Sequence, residues 1–466
     1  MHVFLSKISR KLKLKFDLIG NERLKKNLFN ALPYWVAAFV SGGIAVLYTK
    51  LFSIAEAGTQ LIYQKASWPF FIITPFCFVL AWWLVKKYSP YAKGSGIPQV
   101  TAAIELANAK HNYKVNPLLG LRVIFIKIFS SLVMVFGGGA IGREGPTIQI
   151  SAAVFKKIND LLPGWYPKIS KQNMIVTGAA AGLAAAFNTP LGGIVFAIEE
   201  LTKTHISFFK SALLTGVIIA GLTALYFIGP YLYLGYPLLN NISPWVMVII
   251  IPMAVVTGVT GSAMGVLIFY ILKMRNGFTK NFQQIFYIVL CGLAVASLAI
   301  FIDSKTFGSG KDIMVSTLFS DQKNLAWYVP LLRIAGPVLS FTTGAAGGIF
   351  APSLSAGASI GAVVSGWFHL SNPETNLIIL CGMTGVLTSI TRSPFTSSIL
   401  VSEMTDSHNV IFYIMLTALF ANLIATVISR HSFYDRLKEQ YISEIHKNQT
   451  QQEIHAQVPA AKPSTT

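Results

Sequence analysis

The stretch Gly142-Arg143-Glu144-Gly145-Pro146 decides how this chain is read. It follows an apolar run that closes on Gly137-Gly138-Gly139-Ala140-Ile141 and precedes a second, helix-compatible run from Thr147 to Val154. Glycine lets backbone N–H groups come close to a ligand. Proline suits the first turn of a helix, where its missing N–H removes nothing. The stretch therefore reads as a loop that opens a helix with free N–H groups, an end that carries partial positive charge and attracts anions. Glu144 sits at that end. In a soluble protein it would be an ordinary first-turn acid; at membrane depth an ionisable residue points to function.

Composition puts it at membrane depth. Hydrophobic residues make up 53% of the 466 positions and charged residues 12%, against about 25% charged in a soluble domain. Mean hydropathy is +0.58. The expected class is a polytopic membrane protein, with the lipid bilayer as its partner. The formal net charge of +19 would suit a nucleic-acid binder. Lys and Arg, however, cluster between apolar runs and at the two ends, as the positive-inside rule expects, and no aromatic-basic motif accompanies them. Nucleic acid is not expected as a partner. Cys77, Cys291 and Cys381 lack metal-ligand spacing and read as small buried hydrophobes. No metal or cofactor is expected.

Apolar runs recur at 31–52, 68–85, 118–136, 212–228, 246–271, 285–302, 328–339 and 411–428, against the roughly 20 residues a spanning helix needs. Shorter runs, broken by Gly or Pro, lie at 94–106, 147–154, 177–187, 191–198, 349–364, 377–390 and 395–401. Runs this short do not cross a bilayer alone. They are expected to be broken helices that end inside the membrane, which is tolerated only where they line a site. Residues 303–324, polar and glycine-containing, are expected to form an extramembrane loop. Residues 1–30 carry Lys7, Arg10, Lys11, Lys13, Lys15, Arg23, Lys25 and Lys26 without a cleavable apolar leader. They read as a cytoplasmic helix on the membrane surface or as a solvated basic arm.

The chain repeats itself. Gly138, Gly142 and Pro146 recur as Gly344, Gly348 and Pro352, and Gly178, Pro190 and Glu199 recur as Gly382, Pro394 and Glu403. The first set is displaced by 206 positions and the second by 204. A duplicated half follows, with each half supplying a glycine-rich loop that opens a helix. About a pseudo-two-fold axis, the two helix starts converge near the midplane. The expected organisation is a basic N-terminal helix (1–30), a first membrane repeat (31–228), a linker (229–242), a second repeat (243–429), a cytoplasmic helix (430–445) and a disordered polar tail (446–466), rich in Gln, Pro, Thr and Ala.

Three motifs, in this order, carry a resemblance: Gly94-Ser95-Gly96-Ile97-Pro98, Gly142-Arg143-Glu144-Gly145-Pro146 and Gly347-Gly348-Ile349-Phe350-Ala351-Pro352. Over about residues 31–437 the chain resembles the CLC family of chloride channels and chloride/proton exchangers, in its prokaryotic type without CBS domains. The resemblance implies an all-α polytopic membrane protein of CLC-type antiparallel (inverted) duplicated architecture with tilted and broken helices. It implies a homodimer with one pathway per subunit, in a bacterial inner membrane with both termini cytoplasmic. It makes Ser95, Tyr434 and the backbone N–H groups of Ile349 and Phe350 the anion ligands. Gly142, Arg143, Gly145, Gly348 and Lys127 support them. Ser95 also reads as a simple helix N-cap. Lys127 either sets the local potential or snorkels to the interface. Serine at position 95 resembles the chloride-preferring members; bromide, nitrate and fluoride stay open as further anions.

Neutral ligands and helix ends suit a transported halide, because an ion must be bound favourably but not tightly to leave again. By resemblance Glu144 is the gate: ionised, it takes the outer anion position; protonated, it swings aside. Glu200, the second carboxylate of Ile198-Glu199-Glu200-Leu201, is similar to the internal proton-transfer glutamate of exchangers. It also reads as an interfacial ion pair with Lys203. One departure stands out: Thr101 occupies the position where well-known bacterial members carry a carboxylate. The expected function is exchange of chloride for protons, gated by Glu144. The alternative is a passive voltage- or pH-gated chloride channel. An intramembrane hydrolase is a remote third: it needs a nucleophile with a positioned base, the eight histidines fall mostly at segment edges and tails, and no Ser-His-Asp spacing appears. The protein is not expected to be an enzyme.

Overall fold

Long apolar helices carry the architecture. The computed structural model describes residues 22–108, 112–202, 210–229 and 232–457, and these hold helices and two isolated backbone bridges. The first half contains α1 (Glu22–Lys65), α2 (Phe70–Tyr88), α3 (Ile97–Leu106), α4 (Leu121–Phe136, after the short turn Val115–Leu118), α5 (Glu144–Asp160), α6 (Lys171–Phe187), α7 (Pro190–Phe196) and α8 (Lys210–Ile228). The second half contains α9 (Val246–Asn276), α10 (Asn281–Phe301), α11 (Lys311–Phe319), α12 (Val329–Thr342), α13 (Phe350–Trp367), α14 (Asn372–Thr391), α15 (Pro394–Met404) and α16 (Ile411–Ile428). Helix α17 (Phe433–Gln457) follows. Among the described residues, eight helical segments are long and apolar enough to cross a membrane: α1, α2, Val115–Phe136, α8, α9, α10, α14 and α16 with its lead-in turn. The protein is an integral, multi-pass membrane protein.

The duplication is written into the backbone. Gly138 and Gly344 adopt φ of +81° and +76°, and Asn188 and Arg392 cap α6 and α14 in the left-handed conformation at φ of 57° and 65°. Gly142 N donates to Gly348 O at 2.8 Å, and Gly348 N donates to Gly142 O at 2.7 Å. Residues 206 positions apart that exchange reciprocal bonds must straddle the two-fold axis. Farther out, the Glu403 carboxylate accepts from Leu191 N and Gly192 N at the start of α7. The Glu199 carboxylate accepts from Phe395 N and Thr396 N at the start of α15. Each half thus caps a helix of the other with a carboxylate at its positive end.

At the centre α13 packs on α14 so closely that a Cβ on Gly357 or Gly382 would collide with the other residue's carbonyl. Such small-residue contacts let backbones approach where lipid supplies no hydrophobic drive. Helix α2 returns from the end of α1 through a short connection and ends at Tyr88. Lys93, just past that end, pairs with Glu444 at 3.1 Å and places α17 beside it.

Four expectations change. Residues 303–324 hold α11, whose Ile313, Met314, Thr317 and Leu318 are buried; a nine-residue helix between polar ends is too short to show a period. Helix α1 runs unbroken from Glu22 through residue 30, so no boundary falls there, while residues 1–21 lie outside the described residues. Helix α17 continues past 445 to Gln457, and only 458–466 of the expected tail lie outside the description. The run at 377–390 belongs to the 20-residue α14, extended at its start by a Ser371–Glu374 capping box that apolarity alone does not reveal.

Candidate anion and proton pathway

The glycine loops meet back to back. A Cβ on Gly348 would lie 3.1 Å from Gly145 N, and one on Gly145 would collide with Ser95 Oγ. Only glycine allows three loops to share this space. The start of α13, with Ile349 at its N-cap and Phe350 at its first position, points into the same place, and a helix leaves its first N–H groups without intrahelical partners. The Phe350 ring stacks on Tyr434 (centroids 6.2 Å apart, 19° between planes). Ser95, Glu144, Phe350 and Tyr434 are each no more than 2% exposed. The hydroxyls of Ser95 and Tyr434 approach one another, yet neither makes a hydrogen bond of acceptable geometry within the protein. The N-cap of α3 is Gly96, not Ser95, so the capping role leaves Ser95 Oγ unexplained. Two converging buried hydroxyls beside a helix start have the chemistry of a neutral cradle able to accept an anion.

The Glu144 carboxylate lies over this cradle. Its Oε1 accepts a hydrogen bond from the Tyr233 hydroxyl at 3.2 Å, and a Cβ on Gly142 would collide with its Oε2. Arg143 is buried, with Nη1 directed at the Thr49 carbonyl of α1. Glu200 stands apart, in the π-helical turn Ala197–Thr202 that continues α7; such turns gather at functional sites. It is 7% exposed, and Ser393 Oγ donates to its Oε2 at 2.6 Å. Lys203 lies outside the described residues. Thr101 donates to Ile97 O of its own helix and brings no acid to the site.

Lys127 does not snorkel. It is fully buried, and Nζ donates to Ala92 O at 3.0 Å and Gly94 O at 2.8 Å, clamping the loop that carries Ser95. Its counterpart 206 positions on, Arg333, is also fully buried and donates to Lys305 O, Phe307 O and Gly308 O. That loop reads Gly308-Ser309-Gly310, a second copy of Gly94-Ser95-Gly96. Sequence reading passed over Arg333 and this second copy; the 206-residue displacement applied to Lys127 finds the arginine at once. It also missed Tyr233 and Ser393, which no spacing marks. Lys127→Met is expected to take the side-chain donor from the buried Ala92 carbonyl, at about 1–3 kcal/mol, and to leave Gly94 O with Gly347 N alone; it should lower the melting temperature in detergent and weaken chloride binding measured by calorimetry.

Residues 77–426 match the voltage gated chloride channel family. The chain belongs to that family. Among relatives within it, the H(+)/Cl(-) exchange transporter ClcA of Salmonella arizonae is 29% identical over 385 residues, covering 79% of this chain and 78% of the relative. That of Citrobacter koseri is 28% identical over 441 residues, covering 90% and 91%. Two solved structures share the fold. A slow cyanobacterial Cl−/H+ antiporter superposes with a TM-score of 0.77 at 23% identity, covering 89% of this chain and 98% of that one. A CLC-type fluoride/proton antiporter gives 0.73 at 19%, with the same coverages.

Proposed function

We propose that this chain is a secondary active transporter that exchanges chloride for protons, with Glu144 as its gate and outer proton carrier. The observation that carries the reading is a buried carboxylate beside two otherwise unbonded hydroxyls and a helix start. The ClcA relatives, named as exchange transporters, support it. An ionised Glu144 mimics the anion and occupies its outer position; protonation removes the charge and frees that position. Proton and chloride compete for one place, which couples their movements, since a ligand shifts an equilibrium only by its differential affinity for the two states. Ser95, Tyr434 and the N–H groups of Ile349 and Phe350 hold the central chloride, each helix end contributing about 0.3–1 kcal/mol. Gly142, Gly145 and Gly348 let the loops close around it; Arg143 and Lys127 fix their backbones. Glu200 loads protons from the face that carries α17.

This face is the cytoplasmic one in our reading, which puts the protein in a bacterial inner membrane with both termini inside. The working unit is a homodimer with one pathway per subunit, and bromide and nitrate follow chloride through the same cradle. The organisation is that of two inverted repeats, 31–228 and 243–429, joined by a segment that reaches the site through Tyr233. Purified protein in liposomes is expected to drive protons uphill when given a chloride gradient, recorded with simultaneous chloride and pH electrodes. Chloride movement without any coupled proton movement would instead establish a passive channel.

A further inference from the structure

The segment between the two halves does more than join them. Tyr233 is 3% exposed and donates its hydroxyl to Glu144 Oε1. Its ring meets Phe187 edge-on at 5.0 Å, Phe187 packs on Phe350 at 6.4 Å, and Phe350 stacks on Tyr434. A continuous aromatic column therefore runs from the gate carboxylate to the inner hydroxyl of the anion cradle. Over the Tyr233 ring, Lys311 Nζ lies 4.5 Å from the centroid, within cation–π range. Lys311 opens α11 and lines a cavity of about 450 Å³ together with Glu56, Gln60, Ser309 and Asp312. The loop leading to it is held by Arg333, so the ammonium is presented from a fixed backbone.

We propose that Tyr233 is the positioning residue that latches Glu144 over the anion cradle, with Lys311 strengthening the latch from the outer cavity. The proposal rests on the reading of Glu144 as the gate. A hydroxyl bonded to an ionised carboxylate makes a bond roughly twice as strong as one to its neutral form. Protonation of Glu144 therefore loosens the latch at the moment the gate must leave. The Lys311 cation over the phenol ring polarises it and makes its O–H a better donor. The charged and titratable groups facing Glu144 are Arg143 beside it, Tyr48 and Glu56 on α1, Tyr233, Lys311 on α11 and Tyr434 on α17. Tyr233 is the side chain whose hydroxyl bonds the carboxylate.

Tyr233→Phe keeps the ring, its contact with Phe187 and its contact with the ammonium, and removes the hydroxyl alone. The sign follows from what that hydroxyl favours. It stabilises the ionised carboxylate, so without it Glu144 takes up a proton at higher pH. In liposomes of the whole chain, the rise in chloride transport on acidification is expected to begin about one pH unit higher than in the wild type. Lys311→Met is expected to shift the profile in the same direction by less, and it serves as the second variant if Tyr233→Phe fails to fold. On a Glu144→Gln background, Tyr233→Phe is expected to change transport by less than about twofold, because the bond it breaks no longer holds a charge. A Tyr233→Phe profile superimposable on the wild type, or a shift that persists undiminished with Glu144→Gln, would overturn the latch. A wild type that moves chloride without protons overturns the exchange reading alone. The latch is then judged by the chloride profile, which must still shift.

Discussion

Replacing Glu144 by glutamine is expected to abolish proton movement while chloride continues to pass. The amide has the volume of the carboxyl group, so the packing of Gly142 against it is kept, and its oxygen can still accept from Tyr233. What it loses is the charge and the ability to exchange a proton. An amide cannot imitate an anion at the helix starts, where partial positive charge favours only the ionised group. Chloride then meets a permanently neutral gate. Proton flux should fall at least about tenfold, a factor worth 1.4 kcal/mol in any step it depends on. Chloride flux should persist and lose its dependence on pH. Paired electrodes on the same vesicles read both. Uphill proton movement that survives the substitution would remove Glu144 from the coupling step, and with it the competition between proton and anion.

Sequence carried the frame of this molecule further than its joints. Two glycine–proline registers displaced by 206 and 204 positions were enough to expect two inverted halves, because a repeated proline at the first turn fixes where each helix starts. In the structure that register becomes the reciprocal Gly142–Gly348 pair on the axis. Ser95, Glu144, Phe350 and Tyr434 lie buried around the place where those loops meet. The linker was legible only as a break in the apolar pattern. Tyr233 has no period and no motif, and its importance is set by a partner 89 positions away. Ser393 was hidden for the same reason, being tied to Glu200 across 193 positions. The helix α11 was hidden by its length and by the polar residues at both its ends. Long-range polar contacts leave no local trace in a chain, whereas backbone requirements for glycine and proline do.

Glu200→Gln is expected to cut proton transport at least about tenfold and to leave chloride transport within about threefold. Glu200 lies on the far side of Tyr434 from the gate in our reading, bonded to Ser393 Oγ at 2.6 Å and almost wholly buried. Its hydrogen bond runs to Ser393 and not to the hydroxyl of Ser95 or Tyr434, so its neutralisation should leave the anion route intact. A glutamine side chain fits the same turn and can accept the same Ser393 hydrogen bond, but it binds no proton at working pH. Loss of coupling alone would not separate a relay from a structural prop, because weakening a buried bond to a charged group costs about 1.5–3 kcal/mol. Ser393→Ala makes the separation. It removes the bond and leaves the carboxylate able to titrate, so a prop predicts that both substitutions lower the melting temperature and uncouple together. A relay predicts that Ser393→Ala lowers the melting temperature while protons still move, and that Glu200→Gln stops them with the fold intact. Unchanged stoichiometry in Glu200→Gln would take this residue out of the pathway and leave Glu144 to be loaded from both faces by another route.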